Sequence, residues 1–221
     1  MTKRVPFKSL LFDVDGTLID SNAAHAEAWT LALREHGIDV DAERIRRLIG
    51  MGGDKLLPAV AHVADDSDLG KAIARRKKDI FATRLPALQP TRGARALLEY
   101  LREQQVELII ATSADDREVS ALLQRAGVDD LFPDRATKDD AEDSKPDPDI
   151  VEAALAKSSA GPEQTAMIGD TPYDIEAAGR AGIKTIALRS GGYWKDSDLA
   201  GAAQINDDPQ DLLDYWRPSA N

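Results

Sequence analysis

The sequence predicts an α/β fold in which a parallel-sheet core carries an inserted α-helical cap, and three observations support that expectation. Short apolar runs alternate with segments of helical period over most of the chain, the pattern of parallel strands joined by covering helices. The stretch from Asp20 to Leu85 breaks this rhythm, with helical patterns and no convincing strand. Polar clusters follow the apolar runs directly, where the carboxyl ends of parallel strands gather.

Ser9–Val14 is the first strand, an apolar run closed by Asp13. Asn22–His36 reads as a helix, with Asp20 or Ser21 as its cap and Gly37 as its stop. Ala42–Ile49, Lys55–Val63 and Leu69–Leu85 read as three more helices. The alternation then resumes with helix Thr91–Gln104, strand Val106–Ala111, helix Arg117–Ala126 before Gly127, and helix Pro148–Lys157. Strand Thr165–Ile168, helix Asp174–Ala181 before Gly182, strand Lys184–Leu188 and a weaker strand Ala203–Ile205 complete the core. The expected division is residues 1–19 and 86–221 for the core and 20–85 for the cap.

The 221 residues, 43% hydrophobic, suffice for one large domain or two small ones. A net charge of −11, from 39 acidic and 28 basic residues, argues against nucleic acid and anionic membranes as partners. A small anionic ligand held by a local cation stays compatible with it. Without cysteine, disulfides, thiolate metal sites and a cysteine nucleophile are excluded. No apolar run nears the ~20 residues of a membrane-spanning helix. The run behind the mildly basic start is cut at Asp13, too soon for a signal-peptide core, so a cytoplasmic location is expected.

Asp13-Val14-Asp15-Gly16-Thr17 sets two carboxylates at the end of a buried strand. Burying unpaired carboxylates is costly, so the pair asks for a cation, a proton or an electrophile. Gly16 permits a sharp turn, and Thr17 can satisfy freed backbone groups or touch a ligand. Three further clusters are Thr112-Ser113 behind a strand, Asp143-Ser144-Lys145-Pro146 before a helix, and Gly169-Asp170 through Asp174 behind another strand. Parallel strands bring the first, second and fourth to one sheet edge, and the third reaches it from a loop. Hard oxygen ligands suit Mg²⁺. Hydroxyls, backbone N–H groups and a lysine suit the oxygens of a phosphoryl group in transfer. One carboxylate can attack phosphorus, while a second protonates the leaving oxygen and later activates water.

In order and spacing, the four clusters resemble the four motifs of the haloacid dehalogenase superfamily, in the subgroup whose helical cap follows the first strand. The resemblance covers nearly the whole chain and implies a Rossmann-like core. It implies Asp13 as nucleophile and Mg²⁺ ligand, and Asp15 as general acid and base whose backbone carbonyl also meets the metal. It implies Thr112 or Ser113 as the hydroxyl holding a phosphoryl oxygen, with Thr112 favoured by its distance from the strand. Lys145 would hold the Asp13 carboxylate and the phosphoryl charge together. Asp170 would be a metal ligand, and Asp174 a second ligand or its neighbour. The name-giving dehalogenases lack the second aspartate, so Asp15 points to phosphate esters.

Gly16, Thr17 and Ser113 are expected near the substrate. Lys55, in the glycine-rich stretch 50–55, reads equally as a recogniser of an anionic substrate tail, with Arg44 or Arg47, and as a surface lysine. His25, His36 and His62 lack ligand-like spacing and read as packing or surface residues. The basic run Arg75–Lys78 reads as a solvated helix face, and Trp29, Trp194 and Trp216 as core or rim. The expected activity is a Mg²⁺-dependent phosphatase for a small phosphorylated metabolite, working through an aspartyl phosphate as a monomer or homodimer. The alternatives are a phosphomutase of the β-phosphoglucomutase type, a phosphonatase and a non-catalytic phosphate sensor. The phosphonatase branch has alanine where Asp15 stands, and a sensor would usually have lost Asp13, Asp15 or Lys145.

Overall fold

Leu10, Leu11 and Phe12 have no solvent exposure because strand β1 (Ser9–Phe12) runs through the middle of a six-stranded sheet. The computed structural model describes residues 5–217. After β1 comes a short strand β2 (Ile19–Asp20), then four helices, α1 (Asn22–Glu35), α2 (Ala42–Arg46), α3 (Gly53–Ala61) and α4 (Asp68–Arg84). Strand β3 (Gln89–Pro90) leads to α5 (Ala94–Glu103), β4 (Glu107–Ala111), α6 (Asp116–Ala126), β5 (Asp134–Ala136) and α7 (Asp149–Lys157). The chain continues through β6 (Thr165–Gly169), α8 (Pro172–Arg180), β7 (Lys184–Leu188), β8 (Gln204–Asn206) and α9 (Pro209–Trp216).

The main sheet has the order β5-β4-β1-β6-β7-β8, and every neighbouring pair is parallel. Side chains alternate across it, as the two-residue period requires. Leu10, Phe12, Leu108, Ile110 and Ile168 pack with the apolar faces of α5, α6 and α9. Leu11, Ile109, Ala111 and Met167 pack with α7 and α8. Both faces are therefore covered, as an all-parallel sheet demands. Local signals fix the helix ends. Asp115 accepts from Glu118 N at 2.9 Å to start α6, and Gly127, at φ 70°, ends it in the left-handed region.

The larger apolar cluster runs from the sheet into α1–α4 through Leu33, Ile45, Leu57, Ile73 and Phe81. Where the chain enters and leaves this helical stretch, β2 and β3 form a separate antiparallel pair. Thr91 stitches it to the motif loop, donating from N to Leu18 O at 3.1 Å and from Oγ1 to Thr17 O at 2.7 Å. Element ends differ from the sequence reading by a few residues. β2, β3, β5 and α9 are additional to it. No described helix is long and apolar enough to cross a membrane.

Candidate active site

The order of the sheet assembles the site. β1 lies between β4 and β6, in register Phe12 to Ile110 and Phe12 to Ile168, so the residues beyond these strand ends meet. The chain reverses at this junction, one helix covering each side, which is where open α/β sheets form ligand crevices. Asp13 N donates to Ile168 O at 2.9 Å and fixes the first carboxylate there. Thr112 N donates to Ala136 O of β5 at 3.1 Å and fixes the hydroxyl loop.

Lys145 is fully buried, and its Nζ donates to Asp13 Oδ1 and Asp174 Oδ1, both at 2.7 Å. Asp174 sits in the first turn of α8 and closes a capping box with Thr171. Its Oδ2 accepts from Thr171 N and Oγ1 at 3.0 and 2.7 Å, so both of its oxygens have protein donors. Asp170 accepts from Asn22 Nδ2 at 2.8 Å and Thr17 Oγ1 at 3.4 Å.

Asp13, Asp170 and Asp174 bring carboxylate oxygens within 4.8 Å of one another. Burial, together with the charges of Asp174 and Asp15, outweighs Lys145 and pushes the Asp13 carboxyl up to about 7. Burial, then Asp174 and Asp13, drives Asp170 well above the usual carboxylate range. Burial disfavours the Lys145 ammonium, but Asp13 and Asp174 outweigh it and hold its pKa above the ordinary lysine value. Three buried carboxylates face one ammonium, an imbalance that one divalent cation would cancel. The donors are all hard oxygens, as such a cation requires. The residues present therefore fit a metal ion.

Asp15 stands apart from this cluster. Its carboxylate turns to α1, accepting from Ser21 Oγ and lying 2.8 Å from His25 Nε2. Burial raises this carboxyl, but His25 and Ser21 outweigh burial and hold it below its usual value. The His25 ring is itself buried and stacks on Phe81 of α4, centroids 3.8 Å apart.

A cavity of about 80 Å³ lies over Asp13 and Asp15. Thr112, Ser113 and Glu118 line it from the core side, and Trp29, Gly50–Gly53 and Lys77 from the helical insert. Thr112 Oγ1 accepts from Ala114 N, and Ser113 Oγ from Lys145 N, each at 3.3 Å. Gly16 and Thr17, expected beside the substrate, do not line the cavity. Gly16 has φ 74°, and a Cβ there would collide with Asn22 and Asp170. Both residues serve the geometry around Asp170.

Lys55 is not where the anionic-tail reading needs it. Its ammonium pairs with Asp143 and, at 3.0 Å, with Asp147. Arg44 bonds the Ala59 carbonyl at 2.6 Å, and neither it nor Arg47 lines the cavity. The packing reading of His25 holds for its buried ring stacked on Phe81, and the structure adds a contact with Asp15 that goes beyond that reading. The solvated-face reading of Arg75–Lys78 fails at Lys77, which is 8% exposed. Helical spacing carried a signal for both. Asn22, His25 and Trp29 fall at i, i+3 and i+7 on one face of α1, and Lys77 falls between the buried Ile73 and Phe81 of α4.

The family model for haloacid dehalogenase-like hydrolases matches residues 10–188. The chain belongs to this family. It is 31% identical over 222 residues to the N-acetylmuramic acid 6-phosphate phosphatase of Pseudomonas aeruginosa, with 96% of each chain covered. It is 30% identical over 213 residues to the phosphoglycolate phosphatase of Pseudomonas putida, covering 92% of this chain and 78% of that one. The crystal structure of a hydrolase from Pseudomonas syringae superposes with a TM-score of 0.89 at 30% identity, covering 97% of this chain and 100% of that one. This member of the haloacid dehalogenase-like hydrolases is a phosphoric monoester hydrolase.

Proposed function

We propose that this hydrolase is a Mg²⁺-dependent phosphatase that cleaves a small-molecule phosphate monoester through an aspartyl phosphate on Asp13. The observation that carries the reading is the buried Lys145 ammonium, 2.7 Å from Asp13, under a cavity that Asp15 also lines. Lys145 holds Asp13 Oδ1, which leaves the second oxygen for attack on phosphorus. As that bond forms, the bond from phosphorus to the alcohol oxygen breaks, and the Asp15 carboxyl gives its proton to the departing oxygen. The Asp15 carboxylate then takes a proton from water, whose oxygen attacks phosphorus. The phosphorus–Asp13 bond breaks, which restores the Asp13 carboxylate and releases inorganic phosphate.

His25 and Ser21 aim the Asp15 carboxyl, and the negative charge of a bound phosphoryl group raises its pKa toward the protonated form this step needs. Thr112, Ser113 and nearby backbone N–H groups hold the phosphoryl oxygens. Asp13, Asp170 and the Asp15 backbone carbonyl would hold Mg²⁺ with Asp174 fixed beside them, and when bound the ion supplies positive charge against the phosphoryl oxygens. Residues 20–85 act as a cap that opens on the β2–β3 pair to admit the ester and closes to exclude bulk water.

Phosphate release from a panel of small esters, with and without Mg²⁺ and with Asp13→Asn as control, tests the reading. Release that needs both the ion and Asp13 supports it. Release by Asp13→Asn at the wild-type rate overturns it. Isomerisation of sugar phosphates without phosphate release would favour the mutase.

A further inference from the structure

Beyond the reacting groups, the wall of the cavity carries one lysine–glutamate pair, with His25 Nε2 4.0 Å from the glutamate. The Lys77 ammonium of α4 lies 3.5 Å from each Glu118 carboxylate oxygen of α6, with the side chains 10% and 15% exposed. The ammonium also sits 5.0 Å from the Phe81 ring centroid and 5.9 Å from that of Trp29, which hold it in place. Lys77 is the one lysine or arginine among the described residues lining this cavity. Lys145 lies below and is engaged by Asp13 and Asp174.

The positive charge that faces the alcohol end of a substrate is therefore already matched by Glu118. A separation of 3.5 Å is at the long limit of hydrogen bonding. Both groups keep capacity for a third partner, the ammonium as donor and the carboxylate as acceptor. A hydroxyl satisfies both. A substrate carboxylate only accepts, and it meets Glu118 as a like charge where little water screens them.

We propose that Lys77 and Glu118 select the alcohol: a neutral, hydroxylated one, as in a sugar or polyol phosphate, over one with a carboxylate next to the phosphate-bearing carbon. The inference rests on the phosphatase reading above. A second cavity of about 460 Å³ shares Trp29, Gly53, Lys77 and Glu118 with the first and gives a monosaccharide room. Its walls carry five lysine or arginine and four aspartate or glutamate residues, so the two signs nearly balance there.

The test compares kcat/KM for 2-hydroxyethyl phosphate and phosphoglycolate, which differ in a terminal hydroxymethyl group against a carboxylate. Ribose 5-phosphate and glucose 6-phosphate probe larger alcohols, and p-nitrophenyl phosphate, whose leaving group carries neither an alcohol hydroxyl nor a carboxylate, reports basal turnover. The wild type is expected to favour the hydroxyl ester by about tenfold or more, and Glu118→Gln to shrink that ratio by about tenfold. Changes in the chemistry shared by both esters cancel in the ratio. A wild-type ratio at or below one, with the sugar phosphates cleaved no faster than phosphoglycolate, overturns the proposal. So does an unchanged ratio in an active Glu118→Gln; if that variant does not fold, the wild-type ratio decides. Failure to cleave any ester, p-nitrophenyl phosphate included, is a different outcome and overturns the phosphatase reading itself.

Discussion

Without the Lys145 ammonium, Asp13 and Asp174 would be left buried and uncompensated. Lys145→Met is expected to lose about 3–5 kcal/mol of unfolding free energy in urea near neutral pH, and with it turnover. Wild-type stability in that variant would contradict the pairing. His25→Ala is expected to lower kcat by about tenfold or more with KM little changed, because His25 aims the proton donor without holding the ester. It should also move the pH limb set by Asp15 upward, since a partner that holds this carboxyl low is gone. An unchanged profile would return His25 to packing. That Asp13, Asp15, Thr112, Ser113, Lys145, Asp170 and Asp174 converge is legible in the sequence, because parallel strands gather all but Lys145 at one sheet edge and the loop before α7 brings Lys145 there. His25 and Lys77 are harder to see, because a helix must dock before its face points anywhere. Lys55 misleads because a glycine-rich stretch marks where backbone bends and says nothing of which charge a side chain will meet.

At the scale of elements, the start of α3 is clasped to the loop between β5 and α7 by charges of opposite sense. Asp54 forms an ion pair with Lys138 at 3.0 Å, and Lys55 reaches Asp143 and Asp147. Gly52 allows the close approach, since a Cβ there would collide with Ser144. The clasped loop carries Lys145, so seating the insert and setting Lys145 are linked. These side chains are part-exposed, and such pairs are worth no more than about 1 kcal/mol each. Lys55→Ala is therefore expected to lower kcat/KM only several-fold, less at high salt, with Lys55→Arg restoring it. Salt-independent, wild-type kinetics in Lys55→Ala would contradict the clasp. The long, periodic elements are legible in sequence. β5 is hidden because Asp134-Arg135-Ala136 has a single apolar residue on a sheet edge, and β2 and β3 because a two-residue pair leaves no period to read. α9 did leave a signal, Asp208 before Pro209 with Asp211 N donating to its carboxylate at 2.9 Å.

At the scale of the whole molecule, the buried acidic cluster ties stability to pH and to metal. Asp13 moves from an ordinary 3.8 to about 7 on folding, and Asp170 moves in the same direction. Between those values the folded state binds more protons than the unfolded state, so stability falls as pH rises through the window. Metal-free protein is expected to melt at a higher temperature near about pH 5.5 than near about pH 8. Mg²⁺ should raise the value at the higher pH most, by favouring the charged cluster. Asp15 and Asp54, held low by their partners, lose their contribution only below about pH 4 and leave this window clear. A metal-free melting temperature that rises across the window would contradict the cluster. The α/β class and the helical insert are legible at this scale because hydrophobic period survives without tertiary contacts. The joint cavity is not, because it depends on how the insert sits on the sheet. The most direct test of the central claim is to quench the enzyme in acid during turnover and look for covalent phosphate on the peptide that holds Asp13. The expected result is phosphate on Asp13 that disappears with EDTA and in Asp13→Asn. Full turnover with no labelled Asp13 peptide, or wild-type turnover in Asp13→Asn, would contradict it.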